Sequence, residues 1–235
     1  MGVLMKRRYK LVLIIVLGAI LTFIINSLRV SSKTNFMAIG DGFSVGMTPY
    51  NVAGTSFNDY LAEKLENKKR LGIYNHEFSY SHETIHELNE HLNNNSIGKN
   101  SRTPIKQIIA KSNYITIAIG MDEFATKSMV EEITTETIDN YINEMNIFLK
   151  NTREFYNDSI VVLGVYPANK FNKKDAIEVN SKLKLLCGKY NALFLDVLAL
   201  SLQDEYYLEK SSYYMNYKAH QEIAKDLFLM YKKNN

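Results

Sequence analysis

The sequence has 235 residues, of which 46% are hydrophobic and 23% are charged, and it contains one cysteine, Cys187. This composition is that of one globular domain, and it excludes a disordered chain, a collagen and a small disulfide-stabilised protein. The net charge of +3 divides unevenly: residues 1–33 carry six basic side chains and no acidic one, which leaves 22 basic and 25 acidic side chains, a charge of −3, in residues 34–235. A mildly acidic domain argues against nucleic acid as a partner.

The N-terminal segment predicts a membrane anchor. Lys6, Arg7 and Arg8 precede a charge-free, mostly apolar run over residues 11–25. A helix over residues 11–30 would be about 30 Å long, which is the thickness of a bilayer core. Basic residues before it predict a cytoplasmic N-terminus. We therefore expect a basic stub and signal-anchor in residues 1–33, with a single pass through the cell membrane and an extracytoplasmic domain in residues 34–235. A cleaved signal peptide and a buried core helix are the alternatives.

Beyond the anchor, strand-like and helix-like runs alternate along the chain. In order, the pattern predicts a strand at 35–40, a helix at 56–70, a strand at 72–80, helices at 84–92 and from 103, a strand at 114–120, a helix at 138–149, a strand at 159–166, a helix at 176–186, a strand at 192–197 and a helix at 217–232. Five strands separated by helices imply parallel crossovers and a three-layer α/β/α sandwich. Because ligands of such sheets bind at the carboxyl ends of the strands, the loops that follow the strands are the candidate site.

Three short motifs lie in these loops. They are Gly40-Asp41-Gly42 after the first strand, Gly120-Met121-Asp122 after the third, and Tyr214-Met215-Asn216 before the last helix. Their order and spacing over residues 35–232 resemble the SGNH/GDSL hydrolases. The resemblance implies a flavodoxin-like five-stranded parallel sheet, hydrolysis of acyl or acetyl esters, and no cofactor.

The resemblance does not extend to the residues that perform the family's chemistry. The nucleophilic serine of the family falls on Gly42, its oxyanion-binding asparagine on Asp122, its histidine base on Tyr214 and its orienting acid on Ser211. A carboxylate at position 122 would repel an oxyanion unless it were protonated. Losing the nucleophile and the base together removes the mechanism of this family.

The family's second motif, whose glycine N–H serves the oxyanion hole, falls near Ser81 and His82 and contains no glycine. Scaffold residues of the family persist at Gly40, Asp41, Gly46, Gly120 and Asn216. Gly42 by itself is typical of a tight turn with positive φ. We therefore expect a catalytically degenerate domain that binds a ligand of the cell envelope, namely a glycan, a lipid or a protein.

An active serine esterase rebuilt around Ser44 is one alternative. Ser44 lies two residues after the nucleophile position and His220 six residues after the base position. The contrasting interpretation is that Ser44 bonds local backbone and that His220 is a half-buried helix residue.

A zinc metallopeptidase is the second alternative. His82-Glu83-Thr84-Ile85-His86 has the H-E-x-x-H spacing, which on a helix places both imidazoles on one face with Glu83 as the base. Incidental metal binding by His82, His86 and His91, without peptidase activity, is a related alternative. The five-stranded pattern is wrong for such a peptidase, and a solvated polar helix face is the default, so no metal is expected.

Overall fold

The computed structural model describes residues 16–18, 33–208 and 213–234. Apart from residues 16–18, which are helical, the predicted membrane anchor lies outside the described residues and stays a prediction. No helix within the described residues is long and apolar enough to cross a membrane. Residues Thr34–Asn235 form one compact unit.

This unit is built on one five-stranded parallel sheet with the strand order β2-β1-β3-β4-β5. The strands are β1 (Thr34–Gly40), β2 (Leu71–Ser79), β3 (Tyr114–Ala118), β4 (Ser159–Leu163) and β5 (Leu193–Leu195). Central strand β3 is buried along its whole length, as expected of an apolar strand that is covered on both faces. The order is the flavodoxin-like one, so the predicted parallel α/β sheet is confirmed.

Helices connect the strands. They are α1 (Gly42–Val45), α2 (Phe57–Asn67), α3 (Ile85–Asn93), α4 (Ile105–Lys111), α5 (Met121–Val130), α6 (Thr135–Arg153), α7 (Lys173–Lys189), α8 (Leu198–Ser201) and α9 (Tyr217–Asn234), with a 3₁₀ turn at Asp204–Tyr206. The sequence pattern did not predict α1, α5 and α8. Strand β3 also ends two residues earlier than expected, because Gly120 has a φ of +105° and turns the chain into α5.

The carboxyl ends of β1 and β3 approach each other closely. Gly40 has a φ of +148°, and a Cβ atom there would lie 1.8 Å from the carbonyl oxygen of Ala118. Only glycine fits this position. As a result, the loops that follow the two central strands start side by side, which places the Asp41 and Asp122 segments in contact.

Candidate functional site

The two loops after β1 and β3 are tied together by aspartates. Asp41 is the N-cap of α1, and its Oδ1 accepts a hydrogen bond of 3.0 Å from the Phe43 N–H. Its Oδ2 accepts one of 3.1 Å from the Asp122 N–H. Both aspartate side chains are buried. Burial, and next the Asp122 carboxylate, raise the pKa of Asp41 well above its usual range, so the pair favours one negative charge over two.

The carboxylate of Asp122 is surrounded by donors from three other segments. Its Oδ2 accepts hydrogen bonds from the Gly42 N–H at 2.9 Å and from the His82 N–H at 2.7 Å. Its Oδ1 accepts one of 2.6 Å from the Tyr214 hydroxyl. Converging backbone N–H groups and a hydroxyl are the donor set of an oxyanion hole. Here a carboxylate oxygen of the protein itself occupies the point at which the N–H groups converge.

Gly42 is required for space. A Cβ atom at position 42 would lie 2.5 Å from the Tyr214 hydroxyl oxygen and 2.6 Å from Asp122 Oδ2. The side chain of a serine would therefore collide with both groups. The expected positive φ is wrong, because Gly42 lies at the start of helix α1 with a negative φ.

The loop after β2 supplies the third segment. His82 has a φ of +65°, a conformation that glycine favours, and it lies in the segment near which the family's second motif falls. This geometry directs its N–H to Asp122, while its imidazole is 70% exposed with Nδ1 at 3.9 Å from Asp122 Oδ2. Sequence reasoning identified the position and missed its function, because a histidine in a left-handed conformation has no sequence signature.

The H-E-x-x-H segment lacks the geometry of a zinc site. Helix α3 begins at Ile85 with Thr84 as its N-cap, so His82 precedes the helix and cannot share a helical face with His86. The His86 imidazole is exposed beside Glu90 and Glu144 instead. In the part of the chain that the structure describes, no group of three or more histidine, cysteine, aspartate or glutamate side chains could hold a metal ion.

Ser44 belongs to a buried hydrogen-bond network. Its Oγ bonds Ser79 Oγ and Asn58 Nδ2, each at 3.0 Å, and Asn58 Oδ1 accepts a 2.7 Å bond from Thr116. Ser44 is buried, with 3% of the residue exposed. These bonds fix α1 and α2 on the sheet, which makes Ser44 a structural hydroxyl in this geometry.

His220 is fully buried in α9, in contrast to the half-buried position that the sequence indicated. Its Nδ1 accepts a 3.1 Å hydrogen bond from the Phe57 N–H, and its ring stacks on Phe57 at a centroid distance of 5.7 Å. Burial lowers the pKa of His220 to about 4, so the imidazole is neutral. The rebuilt esterase would need a base within hydrogen-bond reach of Ser44. Among the described residues, Ser44 Oγ bonds Ser79 and Asn58 whereas His220 bonds Phe57, so the two side chains do not form a nucleophile–base pair.

The remaining family positions are structural or lie outside the described residues. Asn216 caps α9, where its Oδ1 accepts the Lys218 N–H at 2.9 Å and its Nδ2 donates to the Glu205 carbonyl at 2.8 Å. Gly120 packs so tightly that a Cβ atom would lie 2.7 Å from the Tyr141 ring. Ser211 lies outside the described residues.

Comparison with known proteins identifies the family. The model of the GDSL-like lipase/acylhydrolase family matches residues 36–225. The chain therefore belongs to this family. No curated protein sequence matches it.

Solved structures share the fold at low sequence identity. An acetylxylan esterase from Geobacillus stearothermophilus aligns with a TM-score of 0.63 and 17% identity over 86% of this chain and 95% of its own. An α/β hydrolase from the metagenome of Lake Arreo, Spain, aligns at 0.62 and 16%, over 87% and 98%. A lipase/acylhydrolase from Enterococcus faecalis aligns at 0.61 and 12%, over 84% and 95%. These similarities show a common SGNH-type fold with esterase neighbours.

We predict that Gly42→Ser lowers the free energy of unfolding by about 1–3 kcal/mol, because the added side chain overpacks the Tyr214–Asp122 contact. Gly188→Ser in α7 is the matched control, since a Cβ atom there meets nothing within 4 Å. Urea unfolding compares the two variants with the wild type. Equal midpoints for Gly42→Ser and Gly188→Ser would contradict the steric account.

We also predict that His220 makes the protein sensitive to acid. Its pKa is lowered to about 4 from 6.5, so the unfolded chain binds the proton more readily between these values. Stability is therefore lost as the pH falls from about 6.5 to 4, by up to about 3 kcal/mol. His220→Gln, which keeps an acceptor for the Phe57 N–H, should reduce this slope in urea unfolding measured at several pH values. An unchanged slope would contradict a buried neutral imidazole.

Proposed function

We propose that this chain is a non-catalytic member of the GDSL-like family whose oxyanion-hole donors are occupied by its own Asp122 carboxylate. The observation that carries the proposal is the convergence of the Gly42 and His82 N–H groups on one oxygen of Asp122. An oxyanion that developed on a bound ester would have to displace a negative charge from these donors. Catalysis of acyl transfer depends on the opposite arrangement, in which the donors are free and preorganised.

The nucleophile and the base are absent for linked reasons. Position 42 has no side chain, and the space that one would fill holds the Tyr214 hydroxyl. Burial, and next the hydrogen bond to Asp122, raise the pKa of Tyr214, so its hydroxyl stays protonated and acts as a donor. A protonated phenol cannot accept a proton from a nucleophile at neutral pH. Gly42, Asp122 and Tyr214, which occupy the family's nucleophile, oxyanion-binding and base positions, therefore contact one another and supply neither a nucleophile nor a base.

The role that fits such a domain is binding. The basic and apolar pattern of residues 1–33 supports a domain that a single-pass anchor holds at the outer side of the cell membrane. On this proposal the ligand is a glycan, a lipid or a protein of the envelope. The shared fold of an acetylxylan esterase makes an acetylated polysaccharide the first ligand to test.

The experiment that tests the loss of catalysis is turnover of 4-nitrophenyl acetate by the purified protein and by its Ser44→Ala variant. Free imidazole groups hydrolyse this ester slowly, so the difference between the two proteins is the quantity that counts. We expect rates that agree within about twofold, because Ser44 Oγ is held in a structural network without a base.

A rate well above that of the unfolded protein, lost in Ser44→Ala, would contradict the proposal and establish the rebuilt serine esterase. A rate that chelators abolish and that Glu83→Gln removes would contradict it in favour of the zinc enzyme. Gly188→Ser serves as a control for nonspecific effects of substitution, since its side chain meets open space.

A further inference from the structure

The segment from Tyr80 to Thr84 delivers one of the two N–H donors to Asp122, and we call it the His82 loop. His82 adopts a left-handed backbone conformation, with φ at +65°. A residue with a side chain adopts this conformation at an energetic cost and keeps it only where the surrounding contacts hold it. The hydrogen bond to Asp122 is one such contact.

Both ends of the loop are attached through hydrogen bonds. The Tyr80 N–H donates to the Gly40 carbonyl at 2.9 Å. At the other end, Thr84 forms a capping box with Glu87 at the start of α3. These contacts set where the loop begins and ends. They do not determine the conformation of Ser81 and Glu83, the two residues next to His82.

Glu83 contacts α3 from inside the loop. Its side chain is 9% exposed, and its buried Oε1, which makes no hydrogen bond within the described residues, lies 3.3 Å from Nε2 of His91 near the end of α3. Its N–H also donates to the Tyr80 carbonyl at 3.2 Å. Glu83 is thus a loop residue whose side chain reaches α3, and it is covalently adjacent to His82.

Aromatic rings and a cation surround this contact. The His91 ring stacks on Tyr80 at a centroid distance of 5.7 Å and meets the edge of Phe78 at the same distance. The Lys99 ammonium lies 3.9 Å from the centre of the Tyr80 ring. The His91 side chain is 32% exposed and that of Glu83 is 9% exposed, so the aromatic rings shield the contact from water on one side only.

Burying a carboxyl group at this place is costly. Burial, and next the charge of Glu87, raise the pKa of Glu83 to about 7, while Lys99 opposes this change. The glutamate therefore does not improve the packing of the loop by itself. Burial of the Glu83 carboxyl is unfavourable by itself, and Glu83 is the neighbour of His82, whose backbone is strained. These two facts point to a role for Glu83 in positioning the His82 N–H.

We propose that Glu83 is a positioning residue, whose contact with His91 holds the His82 N–H on the Asp122 carboxylate. This inference rests on the proposed function, because it concerns the donor that the Asp122 carboxylate occupies. The predicted consequence is local: loss of the Glu83 contact frees the His82 N–H and leaves the Gly42 N–H, which belongs to the segment after β1, on Asp122.

The experiment follows the backbone amides of His82 and Gly42 by NMR in the full chain. Hydrogen exchange and amide proton shifts are compared among the wild type, Glu83→Leu, Glu83→Gln and Asp122→Asn. Leucine removes the polar contact, whereas glutamine keeps an oxygen that can meet the imidazole. Glu90→Gln is the matched control, since it removes an exposed carboxylate from the same helix.

For Glu83→Leu we expect exchange of the His82 amide to become about tenfold faster, with an upfield shift, while the Gly42 amide keeps its wild-type values. Glu83→Gln and Glu90→Gln should stay within about twofold of the wild type. A His82 amide that exchanges at the wild-type rate in Glu83→Leu would overturn the positioning role.

The Asp122→Asn variant separates this failure from failure of the proposed function. If both amides shift in Asp122→Asn but His82 is unaffected in Glu83→Leu, the carboxylate occupies the donors and only the role of Glu83 is wrong. If neither amide changes in Asp122→Asn, the carboxylate does not occupy the donors, and the proposed function fails together with this inference.

Discussion

A buried carboxylate must be hydrogen bonded, and the Asp122 carboxylate sets the conformation of the whole site. It is 1% exposed and accepts bonds from Gly42, His82 and Tyr214, which come from three different loops. An ionised group in such a place without donors would destabilise the fold by several kcal/mol. This requirement accounts for the direction of the His82 N–H and of the Tyr214 hydroxyl, both of which donate to the carboxylate.

The replaced family positions therefore form one interdependent set. Glycine at position 42 provides the room that the Tyr214 hydroxyl and the Asp122 carboxylate fill. Returning a serine to position 42 would first break the contacts of the other two residues. Removing Tyr214 or Asp122 would leave polar groups without partners. On the proposed function, this set keeps the family's fold while the Asp122 carboxylate fills the place where a reaction would develop negative charge.

The sequence predicted the sheet and could not predict the site contacts. Apolar runs such as residues 114–118 identified the parallel strands, because strands covered on both faces need continuous apolar residues. Helix α5 was missed because a positive φ at Gly120 ends β3 early and starts the helix. The contact of Asp122 with His82 joins residues 40 positions apart, which no local pattern reveals. At the H-E-x-x-H segment a local pattern was sufficient, because the helix predicted over residues 84–92 leaves His82 outside it and the Thr84 cap starts α3 after His82.

Chemical complementation tests most directly the proposal that Asp122 occupies the oxyanion-hole donors. Truncation in Asp122→Ala removes the carboxylate and leaves the donors of Gly42, His82 and Tyr214 facing a space of the same shape. Formate should then raise the melting temperature of Asp122→Ala in a saturable way, while the wild type responds to formate only as it does to chloride at equal concentration. The same response of variant and wild type to formate would contradict the account, because it would mean that these donors do not form an anion site.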